Sequence, residues 1–488
     1  MTEIDRLNSR IIDSIALCFS LYLIAAAGAA MLYIGDTPAS VLAEFRRILI
    51  SPCPLVTDYF ELGSLPAALL NSGLCGLAMF FFLVRFPGPS YANMLAGYFL
   101  VVAHCFYGLN FLNMWPCFLA ALLYMKLNRL SVNDNLHICM FCTCFSPFVS
   151  ELLFRYTLGQ GFELFSGRVT LPAILLTVLF TFFVSFVAPA ILPGAHAWHK
   201  GYNLYNGGLA FGILGFFLYN LMYRSMGAMA APVVPHCLNP VYESFGRDYF
   251  VFSNIFYSVL FLSCLACGWY LNNRSFNGLR LLIRDSGYQS NFARKYGMPL
   301  CLINIGLYGF MILAYIDAAV TIADGAGFTG PTFGIVLAAL TFSALGQHPS
   351  NVWPIFAGYA LLYLTGIILN HSPVHNVSWT ISTQGYLNGV AFATGLCPIV
   401  GRYGRRAGIA AGFLCAAMCT ATSALHGGLM LYNGGFTAGI TALLLLPVLE
   451  HYSSGPREND GREVIDLRDM MTIRTEKQQE NTAGKGSS

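Results

Sequence analysis

Apolar runs long enough to enter or cross a bilayer recur along the whole chain, separated by short polar breaks. They fall at roughly 11–34, 64–84, 92–110, 114–127, 138–156, 170–192 and 204–223. A second set falls at roughly 250–271, 298–317, 331–346, 351–370, 386–402, 407–427 and 430–450. A bilayer core about 30 Å thick takes a helix of about 20 apolar residues. The pattern therefore predicts an all-α polytopic transmembrane bundle of about fourteen segments. Several runs are short, and 114–127 and 331–346 read as partial spans or as parts of their neighbours. Residues 1–10 are polar, and the run from Ile11 to Gly35 is too long for a signal-peptide core, so it reads as a first span. The tail from Ser453 to Ser488 is polar, carries both signs of charge and is predicted to be disordered.

The two sets of seven share signposts in one order. His199–Gly212, HKGYNLYNGGLAFG, returns as His426–Gly439, HGGLMLYNGGFTAG, at an offset of 227. Nine of these fourteen positions match, counting Leu209 with Phe436. Asn71-Ser-Gly-Leu-Cys-Gly76 matches Asn304-Ile-Gly-Leu-Tyr-Gly309, each five residues after a proline, Pro66 or Pro299. Gly108 and Asn113-Met-Trp-Pro116 match Gly346 and Asn351-Val-Trp-Pro354, and Thr143 with Pro147 matches Thr394 with Pro398. Such self-similarity marks a duplication. The expected units are a first membrane repeat over 1–235, a second over 236–452, joined near 224–249, and the polar tail over 453–488.

Seven spans per unit force the second copy to be inverted. Charge supports this. With the N-terminus inside, the loop 272–297, with Arg274, Arg280, Arg284, Arg294 and Lys295, falls inside. The turn with Arg402, Arg405 and Arg406 also falls inside, whereas loops 318–330 and 371–385 have no Lys or Arg. Arg46 and Arg47, in the loop 35–63, fit this poorly. The expected location is the cell membrane with both termini cytoplasmic.

Composition agrees with the bilayer reading. The 488 residues are 56% hydrophobic and only 10% charged, against roughly 25% charged in soluble domains. The net charge of +3 gives no basis for a nucleic-acid partner. The expected partners are the lipid bilayer and a small polar solute or ion, with a homo-oligomer allowed. Most of the fifteen cysteines lie in apolar runs and read as small buried hydrophobes. Cys139, Cys142 and Cys144, and the pair Cys264 and Cys267, have metal-like spacing but no nearby His pair, so neither a metal site nor a cofactor is expected.

Inverted repeats place transport sites near the midplane, at interrupted helices. Pro147 and Pro398 lie mid-segment, where proline frees carbonyls. Thr143, Ser146, Ser150 and Glu151 stand near the first, and Thr394, Gly395 and Cys397 near the second. A coordinating break and a plain kink both fit. Glu151 lies in SPFVSELLF, where an ionisable group costs at least about 2.5 kcal/mol. It is a candidate proton-linked residue or the ion-pair partner of Arg155 at i+4, and its counterpart by offset is Arg402. Asn71 and Asn304, beside glycines that permit close helix approach, are candidates to face a solute path. Asn206 and Asn433 are read as helix caps or polar-group binders, and His199 and His426 as interfacial residues able to carry protons. The Asn-x-Trp-Pro runs read as helix starts, Asp317 as solvated, and Asn376-Val-Ser as a sequon in an outside loop.

With those residues in place, LVTDYFELGSLPAALLNSGLCG, NFLNMWPCFLAALLY, SPFVSELL and NLYNGGLAFG resemble a family of bacterial multi-pass membrane proteins catalogued as domain of unknown function 1576. The resemblance covers nearly all of the chain except the tail; it implies membrane spans and no substrate. The family pattern favours a Gly-Lys-Asn-like run before Asn-x-Trp-Pro; here Gly108-Leu-Asn110 and Gly346-Gln-His348 lack the lysine. A shorter likeness, Gly201-Tyr-Asn203 and Asn206-Gly-Gly208, is to urea transporters, which are also inverted repeats. No nucleophile elbow, H-E-x-x-H, P-loop or dinucleotide fingerprint is present, so no enzyme is expected. The expected function is a transporter or channel for a small polar solute or ion. The alternatives are a membrane-embedded enzyme acting on lipid-linked substrates, using Glu151 with His104 or His137, and a scaffold without transport.

Overall fold

The computed structural model describes residues 3–89, 91–226, 246–322, 327–372, 381, 383–453 and 455. Much of the junction 224–249, Asn376, and the tail from 456 onward lie outside them. The described residues are helical, with no strand among them.

The first part of the chain forms α1 (Glu3–Ile34), α2 (Pro38–Leu49), α3 (Tyr59–Leu62), α4 (Leu65–Arg85), α5 (Tyr91–His104), α6 (Met114–Leu127), α7 (Val132–Cys142), α8 (Ser146–Glu151), α9 (Leu171–Trp198) and α10 (Asn206–Tyr219). The second forms α11 (Gly246–Leu271), α12 (Leu279–Arg284), α13 (Phe292–Lys295), α14 (Met298–Ile322), α15 (Gly330–Ala339), α16 (Pro349–Asn370), α17 (Gln384–Ala393), α18 (Cys397–Tyr403), α19 (Arg405–Cys419), α20 (Thr422–Leu425) and α21 (Asn433–Tyr452). In both sets a long helix, two short ones and a second long helix lead to a helix broken by a 3-10 turn.

Among the described residues, eight helical stretches, against the fourteen apolar runs of the sequence, are long and apolar enough to cross a bilayer. The difference has a local cause. The run 92–110 is α5 followed by a turn in which Gly108 takes φ +85°, and 331–346 is α15 followed by turns ending at Gly346, φ +137°. Left-handed glycine ends each helix well short of a full span. Only 33% of the most apolar window of α9 and 22% of that of α11 are buried, so their Leu, Ile and Phe side chains face lipid; 132–156 is 78% buried and lies inside the bundle. The chain is thus a multi-pass membrane protein; α9 contains two internal prolines, Pro189 and Pro193.

The glycines of the Asn-x-Gly-Leu-x-Gly runs admit the neighbouring helix. A Cβ on Gly73 or Gly76 would sit 2.6 Å from Ile24 or 2.5 Å from Ser20 on α1, and one on Gly306 or Gly309 would meet Leu265 or Phe261 on α11 at 2.5 or 2.4 Å. Hence α1 packs on α4 and α11 on α14. At the centre α10 crosses α21, where a Gly208 Cβ would lie 2.5 Å from the Gly435 backbone. Around that point Gly212 faces Phe436 and Gly439 faces Leu209, the same pair of positions exchanged.

Candidate functional site

The two prolines do interrupt their segments. A 3-10 turn, Thr143–Phe145, separates α7 from α8, with Pro147 in the first turn of α8; Thr394–Leu396 separates α17 from α18, with Pro398 likewise placed. The freed carbonyls are then used across the molecule. Leu204 N donates to Gly395 O at 2.9 Å, and Leu431 N donates to Cys144 O at 3.0 Å. The Tyr-Asn-Gly-Gly turn of each part is therefore held by the broken helix of the other. Thr143 and Ser146 spend their hydroxyls on Met140 O (2.6 Å) and Thr143 O (2.7 Å). Thr394 donates to Ala391 O at 2.7 Å and accepts from Gln347 at 2.8 Å.

Asn71 and Asn304 are fully buried and clamp the turn that follows the next helix. Asn71 Nδ2 donates to Cys105 O (2.8 Å) and Leu109 O (3.0 Å), while its Oδ1 accepts from Phe111 N (3.0 Å). Asn304 Nδ2 donates to Ser343 O (2.9 Å) and Gln347 O (2.8 Å), and its Oδ1 has no partner. Neither lines the cavity described below. Asn113 and Asn351 likewise close the Gly108 and Gly346 turns, at 3.1 and 2.8 Å.

Glu151 pairs with Arg155, Nη2 to Oε1 at 2.6 Å and Nε to Oε2 at 3.0 Å, and accepts a hydrogen bond from the Tyr223 hydroxyl. Both ions are buried. The i+4 ion-pair reading is the arrangement present. His104 is elsewhere, its Nδ1 on Leu100 O at 2.6 Å and its ring beside Tyr107 and Tyr432.

His199 and His426, each at the end of a helix, are fully buried. The structure corrects two local readings. Asn206 and Asn433 do not cap: each is the first residue of its helix, with Tyr205 or Tyr432 at the cap position and no side-chain cap bond. Asp317 is half-buried within α14 and accepts from Asn254 at 3.1 Å. Among the described residues no group of three His, Cys, Asp or Glu side chains comes together to hold a metal.

A cavity of about 330 Å³ opens beside the first Tyr-Asn-Gly-Gly turn. Asn93 and Leu100 of α5, His137 and Phe141 of α7, His196 of α9 and the turn Gly201–Gly208 form one wall; Gln289, Ser290, Asn291, Phe342, Leu345 and Tyr432 form the other. Four polar atoms of its lining are buried without a hydrogen-bond partner: Asn206 Oδ1, His137 Nδ1, Ser290 Oγ and Tyr432 OH. Buried polar groups are ordinarily satisfied, so four orphans on one cavity mark a place for a polar ligand. Sequence reading singled out Asn206 as a site residue but missed Asn93, Asn203 and 289–291, which are polar residues in three separate segments. The usable signal was positional: the Asn71-to-Asn304 offset sets Asn291 against Asp58.

Beside the second turn the facing segments are joined by hydrogen bonds. Leu55 N donates to Gly428 O at 2.7 Å, Asp58 Oδ1 accepts from Gly330 N at 2.9 Å, and His426 Nε2 meets Asn433 Oδ1 at 3.1 Å. In the first turn His199 and Asn206 lie close enough to interact, but His199 Nε2 and Asn206 Oδ1 form no hydrogen bond of ordinary geometry. A second hollow, between α6 and α9, is apolar and lateral, lined by Leu119, Leu123, Ile174, Val178 and Phe182, with no titratable side chain.

The family model described as protein of unknown function (DUF1576) matches residues 37–224 and 271–451. The chain belongs to this family. No curated protein and no solved structure matches it. The two stretches of the family match each contain one Tyr-Asn-Gly-Gly turn and one proline-broken helix.

Proposed function

We propose that the protein transports a small polar solute across the bilayer by alternating access, and that its two halves are inverted copies related about the α10–α21 crossing. The observation that carries this is the inequality of the two turns: the same motif borders an open cavity in one half and a closed seam in the other. Two inverted halves that exchange these conformations would expose the central groups first to one side and then to the other. The exchanged bonds Leu204–Gly395 and Leu431–Cys144 support the twofold relation.

Contacts at the two ends support opposite facing. Lys200 pairs with Glu450 at 2.6 Å, Tyr288 donates to Lys200 O at 2.9 Å, and Arg402 lies 4.9 Å over the Tyr288 ring. The open cavity thus has its mouth at the end that carries the basic loop 272–297, which charge bias assigns to the cytoplasm. The Leu55–Gly428 seam belongs to the other end. Transport is favoured over lipid-linked catalysis because Glu151 is spent on Arg155 and the lateral hollow is apolar.

Flux into proteoliposomes, followed by light scattering over a panel of neutral and charged solutes, tests the reading. Uptake above protein-free vesicles is expected for at least one solute. Folded protein that leaves every rate at the protein-free level would refute it.

A further inference from the structure

We infer that the solute is uncharged and carries several O–H or N–H groups, a small polyol or carboxamide; this rests on the transport reading of the same cavity. No Asp, Glu, Lys or Arg lines it. In the adjoining segments Lys200 pairs with Glu450, and Arg402 lies over the Tyr288 ring. A charged solute entering would lose water without gaining a counter-charge, which is strongly unfavourable. A neutral one loses less and is repaid by hydrogen bonds.

The orphan atoms specify the hydrogen bonds. Asn206 Oδ1 only accepts, so the solute must bring a donor there; a carboxylate group brings none. Tyr432 OH and Ser290 Oγ both donate and accept, and His137 Nδ1 does either according to tautomer. Donors and acceptors mixed around one space suit hydroxyls or carboxamides, each of which offers both. Between these groups stand the faces of Phe141, Tyr205 and Phe342, which suit the C–H surface of a polyol or the flat face of an amide. The volume, about 330 Å³, corresponds to on the order of ten water molecules, enough for a five-carbon polyol.

The experiment uses matched pairs that differ in charge: xylitol against xylonate, and malonamide against malonate. Each is assayed for flux in proteoliposomes and for equilibrium binding to the detergent-solubilised full chain. Xylitol or malonamide is expected to move and bind, with their anions excluded; the two arms tell polyol from amide. Asn206→Leu and Ser290→Ala are each expected to weaken binding about tenfold, the loss of one buried hydrogen bond. Ser290 lies in a loop and keeps the test valid if the Asn206 variant fails to fold. Transport of xylonate or malonate with the neutral partner excluded would overturn the solute class and leave transport standing. Neutral binding that the variants weaken, without flux, would uphold the class and overturn transport. Absence of neutral binding to folded protein would overturn the class.

Discussion

Gly208→Ala tests the central crossing on which the twofold arrangement depends. The added Cβ would lie 2.5 Å from both Cα and C of Gly435 and 2.9 Å from its oxygen. Ordinary contact begins near 3.4 Å, so α10 and α21 must part by about 1 Å. The obstacle is backbone, and the crossing is pinned on both sides by Leu204–Gly395 and Leu431–Cys144, so relief by a rotamer change is not open. Overpacking of this kind costs about 1–3 kcal/mol. Alanine returns roughly 0.5–1 kcal/mol of helix propensity, which leaves a net loss of about 1–2 kcal/mol. Gly207 is the internal control: one residue away on the same helix, its Cβ would meet Phe211 at 3.5 Å, an ordinary contact. Gly435→Ala is intermediate, its Cβ 3.0 Å from Gly208 Cα and 3.1 Å from Tyr205 Cβ. Thermal unfolding in one detergent should therefore rank Gly207→Ala above Gly435→Ala, and Gly435→Ala above Gly208→Ala. A Gly208→Ala protein that unfolds at or above the temperature of Gly207→Ala would refute the close crossing.

Three other outcomes are expected. Arg155→Leu leaves Glu151 charged and buried and should cost about 3–5 kcal/mol, while Glu151→Leu with Arg155→Leu together should recover much of it; a thermal-stability double-mutant cycle reads this, and additive losses would exclude coupling. Asn71→Leu should destabilise more than Asn304→Leu, because Asn71 makes three backbone hydrogen bonds and Asn304 two, with Oδ1 already unpaired; equal unfolding temperatures would count against the clamp. Burial alone would raise the Asp285 carboxyl, but Lys295 at 2.5 Å, the Gly287 N–H at 2.9 Å and the Tyr296 hydroxyl at 2.8 Å outweigh it and hold its pKa below 3.8. A depressed folded value gives stability that is present above the unfolded pKa and lost as pH falls through the folded one, so acid unfolding monitored from pH 7 downward should be flatter in Asp285→Asn.

The duplication was readable because its markers are residues with narrow backbone or bonding roles. Asn113 and Asn351 tie glycine carbonyls, and Pro147 and Pro398 stand at the start of a resumed helix, so each keeps its place in both halves. The number of spans was not readable, because hydropathy counts apolar residues and is blind to direction: 92–110 is apolar along most of its length, yet the chain turns after His104. The poor fit of 35–63 to the expected charge bias has a local setting. Arg46 and Arg47 sit on the exposed face of the short amphipathic α2, where Arg47 lies 5.5 Å over the Phe165 ring, and a surface helix can carry such residues without reporting the side of the membrane.

The cavity was hidden for a deeper reason. Its walls come from α5, α7, α9, the Tyr-Asn-Gly-Gly turn, the loop before α13 and Tyr432, so no window of sequence contains it. Nor can the motif say which copy is open. His199 with Asn206 and His426 with Asn433 are the same pair in the same register, but only the second is closed, at 3.1 Å. What separates them lies in the facing segments: Asp58 Oδ1 caps Phe60 N of its own short helix, as Asn291 at the matching offset caps Arg294 N, but Asp58 also reaches across to Gly330 N. The cross-link from Asp58 is the added contact on the closed side. On the transport reading, Asp58→Asn should weaken the closed seam and shift the balance toward opening at that end. Thiol accessibility of a cysteine placed at Thr57 reads this directly: it should rise in the Asp58→Asn background, and an unchanged rate would mean that the seam is held by Leu55–Gly428 and packing, with Asp58 contributing nothing to the choice of side.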